Sequence, residues 1–161
     1  MAKVGKLLIV DDESDLLDII TDYLRNDVAD IHRASNGLEA LEKIRKESFD
    51  AVLSDINMPK MTGMELLTNI RKEGFLTPFI ILTGYGDKKS AIDALKLNAY
   101  DFLEKPCDPI QIVQIVTKAI ELGQQFNAWK EDKDVVVDLQ TVRDSNAIEA
   151  EMRLKNKVKK H

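Results

Sequence analysis

Five short apolar runs, separated by stretches whose apolar residues recur at helical spacing, constrain this chain more than any other feature. Residues 7–10 (LLIV), 51–53 (AVL) and 79–82 (FIIL) are continuous and apolar, the pattern of strands covered on both faces. Residues 30–34 are more polar and suit an edge strand, and residues 100–103 make the fifth run. Between the runs the period changes to 3.6. Leu16, Ile20, Tyr23 and Leu24 line one helix face, Ala40, Leu41 and Ile44 the next, and Ala91, Ala94 and Leu95 a fourth. Thr62-x-x-Glu65 has the form of a capping box opening the third helix, which buries Leu66, Leu67 and Ile70. Asp108-Pro109 reads as an N-cap with proline at the first helical position; Ile112, Val116, Ala119 and Ile120 continue that helix.

Regular alternation of this kind calls for a parallel sheet with right-handed crossovers. The expected fold is α/β, a doubly wound five-stranded parallel sheet of order 2-1-3-4-5. That order opens a ligand crevice at the carboxyl ends of the first and third strands. The polar residues that interrupt the pattern fall at those ends. Asp11, Asp12 and Glu13 follow the first strand, Asp55 the third, Thr83 the fourth and Lys105 the fifth. Taken singly, each has an ordinary structural reading: a helix N-terminal charge, a turn former, a surface loop. Four such coincidences at one end of one sheet are far less probable than one site. A carboxylate cluster repels itself unless a cation is present, and Mg2+ is the hard ion that suits carboxylates, a carbonyl and waters.

On these residues the sequence resembles the response-regulator receiver family over residues 4–122. The matching pieces are LLIVDDE at 7–13, ASNGLEAL at 34–41, AVLSDINMPKMTGMELL at 51–67, FIILTGYG at 79–86 and DFLEKP at 101–106. The resemblance implies a flavodoxin-like (βα)5 receiver in which Asp55 is the phosphoacceptor. It implies that Asp12 ligates Mg2+, with Asp11 helping, Asp55 itself a ligand and Asn57 supplying a backbone carbonyl; Mn2+ can substitute. Thr83 would bond the phosphoryl group, with Gly84 leaving room beside it, and Lys105 would pair first with Asp55 and then with the phosphate. Phe102 falls at the switch aromatic, and the Lys105–Pro106 bond is expected to be cis. Asn57 and Tyr85 sit where they would tune phosphoryl lifetime, a bulky Tyr85 hindering the attacking water. The implied partner is a sensor histidine kinase or histidine phosphotransfer protein. A downstream protein would read the face of the fourth helix, fifth strand and fifth helix. Such a protein is a phosphoacceptor with intrinsic Mg2+-dependent autophosphorylation and autodephosphorylation rather than an enzyme.

Composition agrees and trims the rivals. With 161 residues, 44% hydrophobic and 32% charged, the chain suits one soluble globular domain plus an appendage. No apolar run approaches the ~20 residues of a membrane span, and the start turns acidic too soon for a signal peptide. The single Cys107 excludes an intramolecular disulfide and suits a reducing cytoplasm; with His32 and His161 it makes no zinc site. Residues 1–122 hold 15 Lys/Arg against 21 Asp/Glu, a net −6, which argues against direct nucleic-acid binding there. A flavin module would need a Ser/Thr/Gly-rich loop where this chain has DDES. An aspartyl phosphohydrolase would need a second acid where Asn57 stands. Residues 123–161 are expected to form an extension without a recognisable output domain. Residues 135–139 (VVVDL) alternate like a short strand and residues 145–160 read as a charged helix; these should dock on the receiver, on a second copy in a homodimer, or on a partner. The alternative is that the chain is the N-terminal regulatory part of a longer DNA-binding or enzymatic regulator.

Overall fold

A computed structural model describes residues 3–84 and 88–131. Tyr85 and the strand and helix expected within residues 135–160 lie outside the described residues. Five parallel strands alternate with five helices: β1 (Val4–Val10), α1 (Ser14–Leu24), β2 (Val28–Ala34), α2 (Gly37–Lys46), β3 (Ala51–Asp55), α3 (Gly63–Lys72), β4 (Phe79–Thr83), α4 (Lys88–Lys96), β5 (Asp101–Glu104) and α5 (Pro109–Glu131). The strand order is β2-β1-β3-β4-β5, the expected doubly wound sheet, with the more polar β2 at an edge.

The strict alternation of side chains along a strand sorts the apolar runs into two cores. Leu8, Val10, Val52, Phe79 and Ile81 point to one side, against Leu41 and Ile44 of α2 and Leu66, Leu67 and Ile70 of α3. Leu7, Ile9, Leu53, Ile80 and Leu82 point to the other, against Ile20 and Leu24 of α1 and Ile112, Val116 and Ile120 of α5. Continuous apolar strands are thus what a sheet buried on both faces requires. In α1 the expected Ile20 and Leu24 are buried and Leu16 and Tyr23 pack partly against the same core, while Leu17, which the periodicity left out, is buried beside them. The two predicted caps form at Thr62 and Asp108, and a third, at Asn36, is added by the structure. The Thr62–Glu65 box is complete, Asn36 accepts the Glu39 amide at the start of α2, and Asp108 Oδ1 accepts the Ile110 amide at 3.3 Å.

The sequence pattern changes after residue 122, yet α5 runs on to Glu131. Tertiary contact explains the extra turns. Leu122 and Phe126 bury against Leu76, with Tyr100 and Trp129 packed beside them, and Asn127 donates to Asp50 Oδ1 at 2.8 Å. Gly123 belongs inside this helix because α5 crosses the start of β3 too closely for a side chain. A Cβ there would lie 1.7 Å from the Asp50 carbonyl oxygen. Alanine is the better helix former by ~1 kcal/mol, but forcing atoms into a packed contact costs ~1–3 kcal/mol or more, and backbone has little room to give. Gly123→Ala is therefore expected to lower the urea midpoint of unfolding despite its helix propensity. An unchanged or raised midpoint would show that α5 is not held at this distance.

Candidate functional site

The site follows from where the sheet changes direction. The chain leaves β1 toward β2 on one side and leaves β3 toward β4 on the other, although β1 and β3 are hydrogen-bonded neighbours with Val10 opposite Ser54. The residues that follow these strands therefore face one another across an open crevice. Asp11 is fully buried and Asp55 is 6% exposed; Asp12 stands exposed at the mouth. The three offer carboxylate oxygens within 4.8 Å of one another. Backbone holds two of them in place: the Glu13 amide donates to Asp11 Oδ1 and the Ile56 amide to Asp55 Oδ1, each at 2.9 Å.

Lys105 reaches this cluster from beyond β5. Its amide donates to the Thr83 carbonyl at 2.8 Å, which fixes the loop against β4. The preceding strand and the cis Lys105–Pro106 peptide complete the loop that carries the side chain inward. The ammonium lies 3.2 Å from Asp55 Oδ1 and 3.4 Å from Asp11 Oδ2. The contact with Asp55 matches the expected pairing; the contact with Asp11 was not anticipated. Thr83 ends β4 almost fully buried, its hydroxyl donating to the Leu103 carbonyl at a long 3.4 Å. Phe102 is half-buried on β5 against the core of the α3 side. Gly84 follows Thr83 directly, and Asn57 is exposed in the loop between β3 and α3.

Sequence reading passed over Gly63. A Cβ at this first residue of α3 would come 2.2 Å from the Asp55 carbonyl oxygen, and the Gly63 amide donates to the Ile56 carbonyl at 2.8 Å. Glycine therefore lets α3 abut the end of β3 just behind the carboxylate. Its place directly after the Thr62 cap was the available signal.

The electrostatics are those of a site built for a cation. Burial pushes the Asp11 carboxyl above the ordinary range, the Glu13 amide pulls it back, and Asp55 adds repulsion that Lys105 opposes. Burial likewise raises Asp55 against the pull of Lys105. Burial disfavours the Lys105 charge, but Asp11 and Asp55 outweigh it and its pKa is raised. Lys105 thus stays ionised, and three carboxylates face one ammonium. This donor set of hard oxygens with surplus negative charge fits Mg2+, which binds through a few carboxylates and keeps waters. The sign of the linkage follows. The folded carboxyls hold protons to higher pH than the unfolded chain, so their ionisation removes stability as pH rises from the ordinary carboxylate range through the raised native values. A bound cation offsets that loss. At about neutral pH, Mg2+ at 100 times its dissociation constant is expected to stabilise the fold by ~2.7 kcal/mol, read as a raised unfolding midpoint that chelation reverses. In Asp12→Asn, which alters an exposed group, most of that ion-dependent gain should vanish; an equal gain would place the cation elsewhere.

Comparison with known proteins bears on this geometry. Residues 7–117 match the family described as response regulator receiver domain. The chain is 33% identical over 122 residues to the regulatory protein VanRc of Enterococcus gallinarum, covering 76% of this chain and 52% of that protein. It is 38% identical over 117 residues to the response regulator protein PilR of Pseudomonas aeruginosa, covering 73% of this chain and 26% of that one. It thus spans about half or about a quarter of the length of these relatives. The crystal structure of a response regulator receiver domain protein from Clostridium thermocellum superposes with a TM-score of 0.71 at 34% identity, covering 76% of this chain and 99% of that one. Among the described residues no helix is long and apolar enough to cross a membrane.

Proposed function

Because the chain belongs to the response regulator receiver domain family, whose members are typically phosphoacceptors and imply a histidine kinase partner, we propose that Asp55 accepts a phosphoryl group from phosphohistidine on a sensor kinase or histidine phosphotransfer protein. The observation that supports this most is the placement of Asp55 at the end of the central strand β3, within 4.8 Å of Asp11 and Asp12 and in contact with Lys105. One oxygen of the Asp55 carboxylate attacks phosphorus in line. The phosphorus–nitrogen bond breaks, the imidazole leaves with the electron pair, and an acyl phosphate remains on Asp55. The nucleophile is the carboxylate form of Asp55, which the Lys105 ammonium favours, so no general base is required. Phosphoryl transfer has a loose transition state in which positioning and charge neutralisation dominate. Lys105 supplies one positive charge from the chain itself. Asp11, Asp12, Asp55 and the Asn57 carbonyl would hold Mg2+, or Mn2+ in its place, which neutralises phosphoryl oxygens when bound.

Switching follows from what Thr83 stands to lose. Its bond to the Leu103 carbonyl is long and weak at 3.4 Å, so a phosphoryl oxygen on Asp55 offers the hydroxyl a better acceptor. Thr83 then moves toward Asp55 beside Gly84, Phe102 turns inward into the vacated space, and the face of α4, β5 and α5 changes for a downstream protein. A coupling of ~1–3 kcal/mol is typical of such population shifts. The length of the relatives favours a second, compatible reading, that these residues are the regulatory part of a longer regulator. The single half-buried Cys107 suits a reducing cytoplasm.

Donor class tests the chemistry. With Mg2+, a phosphohistidine donor should label the protein stoichiometrically, while a stable phosphomonoester should be neither turned over nor used as a donor. Steady turnover of the phosphomonoester would instead make this a hydrolase.

A further inference from the structure

Ser54 is fully buried and is the only polar side chain in β3 besides Asp55. Alternation along the strand turns it to the side of Val52, away from the Asp55 carboxylate, so it touches no reacting atom. Burying a hydroxyl costs free energy unless it is hydrogen-bonded, and Ser54 Oγ donates to the Asp55 carbonyl oxygen at 2.9 Å. That carbonyl belongs to the peptide joining Asp55 to Ile56. The other end of the same peptide, the Ile56 amide, has two acceptors: Asp55 Oδ1 at 2.9 Å and the Leu82 carbonyl at 3.3 Å.

We propose that Ser54 is a positioning residue for phosphoryl transfer: by holding the Asp55 carbonyl it sets the Asp55–Ile56 peptide plane, and that plane aims the Ile56 amide at the Asp55 carboxylate. The role rests on Asp55 as the phosphoacceptor. A peptide is rigid and planar, so its carbonyl and its amide cannot turn independently. Gly63 borders the same carbonyl oxygen, since a Cβ there would lie 2.2 Å from it, and the Gly63 amide donates to the next carbonyl, that of Ile56, at 2.8 Å. Backbone thus walls the plane on the α3 side, and the Ser54 hydroxyl supplies the bond that fixes its angle. Without that hydroxyl, a small rotation carries the Ile56 amide from Asp55 Oδ1 toward the Leu82 carbonyl, where it joins the ladder between β3 and β4. Asp55 Oδ1 then rests on the Lys105 ammonium at 3.2 Å, a contact from a long side chain, and the carboxylate gains freedom about its terminal torsion, which is broad by nature. In a reaction governed by positioning, that freedom lowers the rate.

Two pairs of full-length proteins test it. Ser54→Ala removes the hydroxyl from the wild type, and Ser54→Val removes it from Ser54→Thr while keeping the shape of threonine. At saturating Mg2+, which takes ion affinity out of the comparison, the initial rate of labelling by acetyl phosphate is read by intact mass. It should fall on the order of tenfold from the wild type to Ser54→Ala, and by a similar factor from Ser54→Thr to Ser54→Val. By NMR, the Ile56 amide of both hydroxyl-free proteins should leave the carboxylate and gain coupling to the Leu82 carbonyl. A serine that only filled space would move the urea midpoint and leave the Ile56 amide and the rates alone. Equal rates within either pair, or an Ile56 amide unmoved in both hydroxyl-free proteins, would overturn the role. The amide readout needs no phosphoryl chemistry. A wild type that takes no label would remove Asp55 as acceptor, and the Ile56 amide would still decide whether Ser54 sets the plane.

Discussion

Asp55→Asn protein incubated with acetyl phosphate and Mg2+ is expected to gain no mass, where the wild type gains one phosphoryl group per chain. The effect should be all or none because the amide offers no anionic oxygen. The other two carboxylates are poor substitutes for different reasons. Asp11 is fully buried and bound by the Glu13 amide and Lys105. Asp12 is exposed at the mouth, without the Ile56 amide and the Lys105 ammonium that orient Asp55. Asparagine matches aspartate in size and removes one charge from a self-repelling cluster, so the variant should fold. Intact mass spectrometry decides the matter. Labelling of the variant to wild-type extent, on Asp12 or elsewhere, would remove Asp55 from its role.

Lys105→Ala should separate the two halves of the site. The ammonium contacts both Asp55 and Asp11, so without Mg2+ its loss leaves two buried carboxylates unpaired. Charge-assisted bonds of this kind contribute ~1.5–3 kcal/mol, and the Mg2+-free variant should lose about that much stability. Adding Mg2+ should restore most of it. Because a cation has been removed from beside two metal-ligand candidates, Mg2+ affinity should equal or exceed that of the wild type. On the proposed function, in which Lys105 pairs with the phosphoryl group, the phosphorylated variant should nonetheless fail to change conformation. Titration of Mg2+ by calorimetry, alongside exchange at α4 and β5 before and after phosphorylation, reads both. A collapse of Mg2+ binding would mean that Lys105 organises the metal ligands rather than the phosphate.

The elements that were legible in advance share a physical cause. Residues 7–10, 51–53 and 79–82 read as strands because both faces of each are buried, and burial on both faces leaves no polar residue to blur the run. Thr62 and Asp108 marked helix starts because capping is a local bond between neighbours in sequence. The end of α5 was not legible. Gly123 lowers local helix propensity, and the helix continues where Phe126, Trp129 and Asn127 find Leu76, Tyr100 and Asp50. The burial of Leu17 in α1, beside the expected Ile20 and Leu24, has the same origin, since the width of a buried helix face is set by the sheet and helices it meets.

For the site, sequence alone determined which side chains are present at the strand ends: Asp11, Asp12, Asp55, Thr83 and Lys105 each follow or close an apolar run, and strand termini are read from local pattern. The rules that govern βα crossovers narrowed the strand orders to a few, and the expected 2-1-3-4-5 is the one the structure has. Tertiary structure decided what those side chains touch. That Lys105 bridges Asp55 and Asp11, that Asp11 is buried while its neighbour Asp12 is exposed, and that Thr83 rests on the Leu103 carbonyl depend on sheet twist and loop path over distances of up to 94 residues. Local propensity is blind to these because burial and charge pairing arise only when segments remote in sequence are packed together.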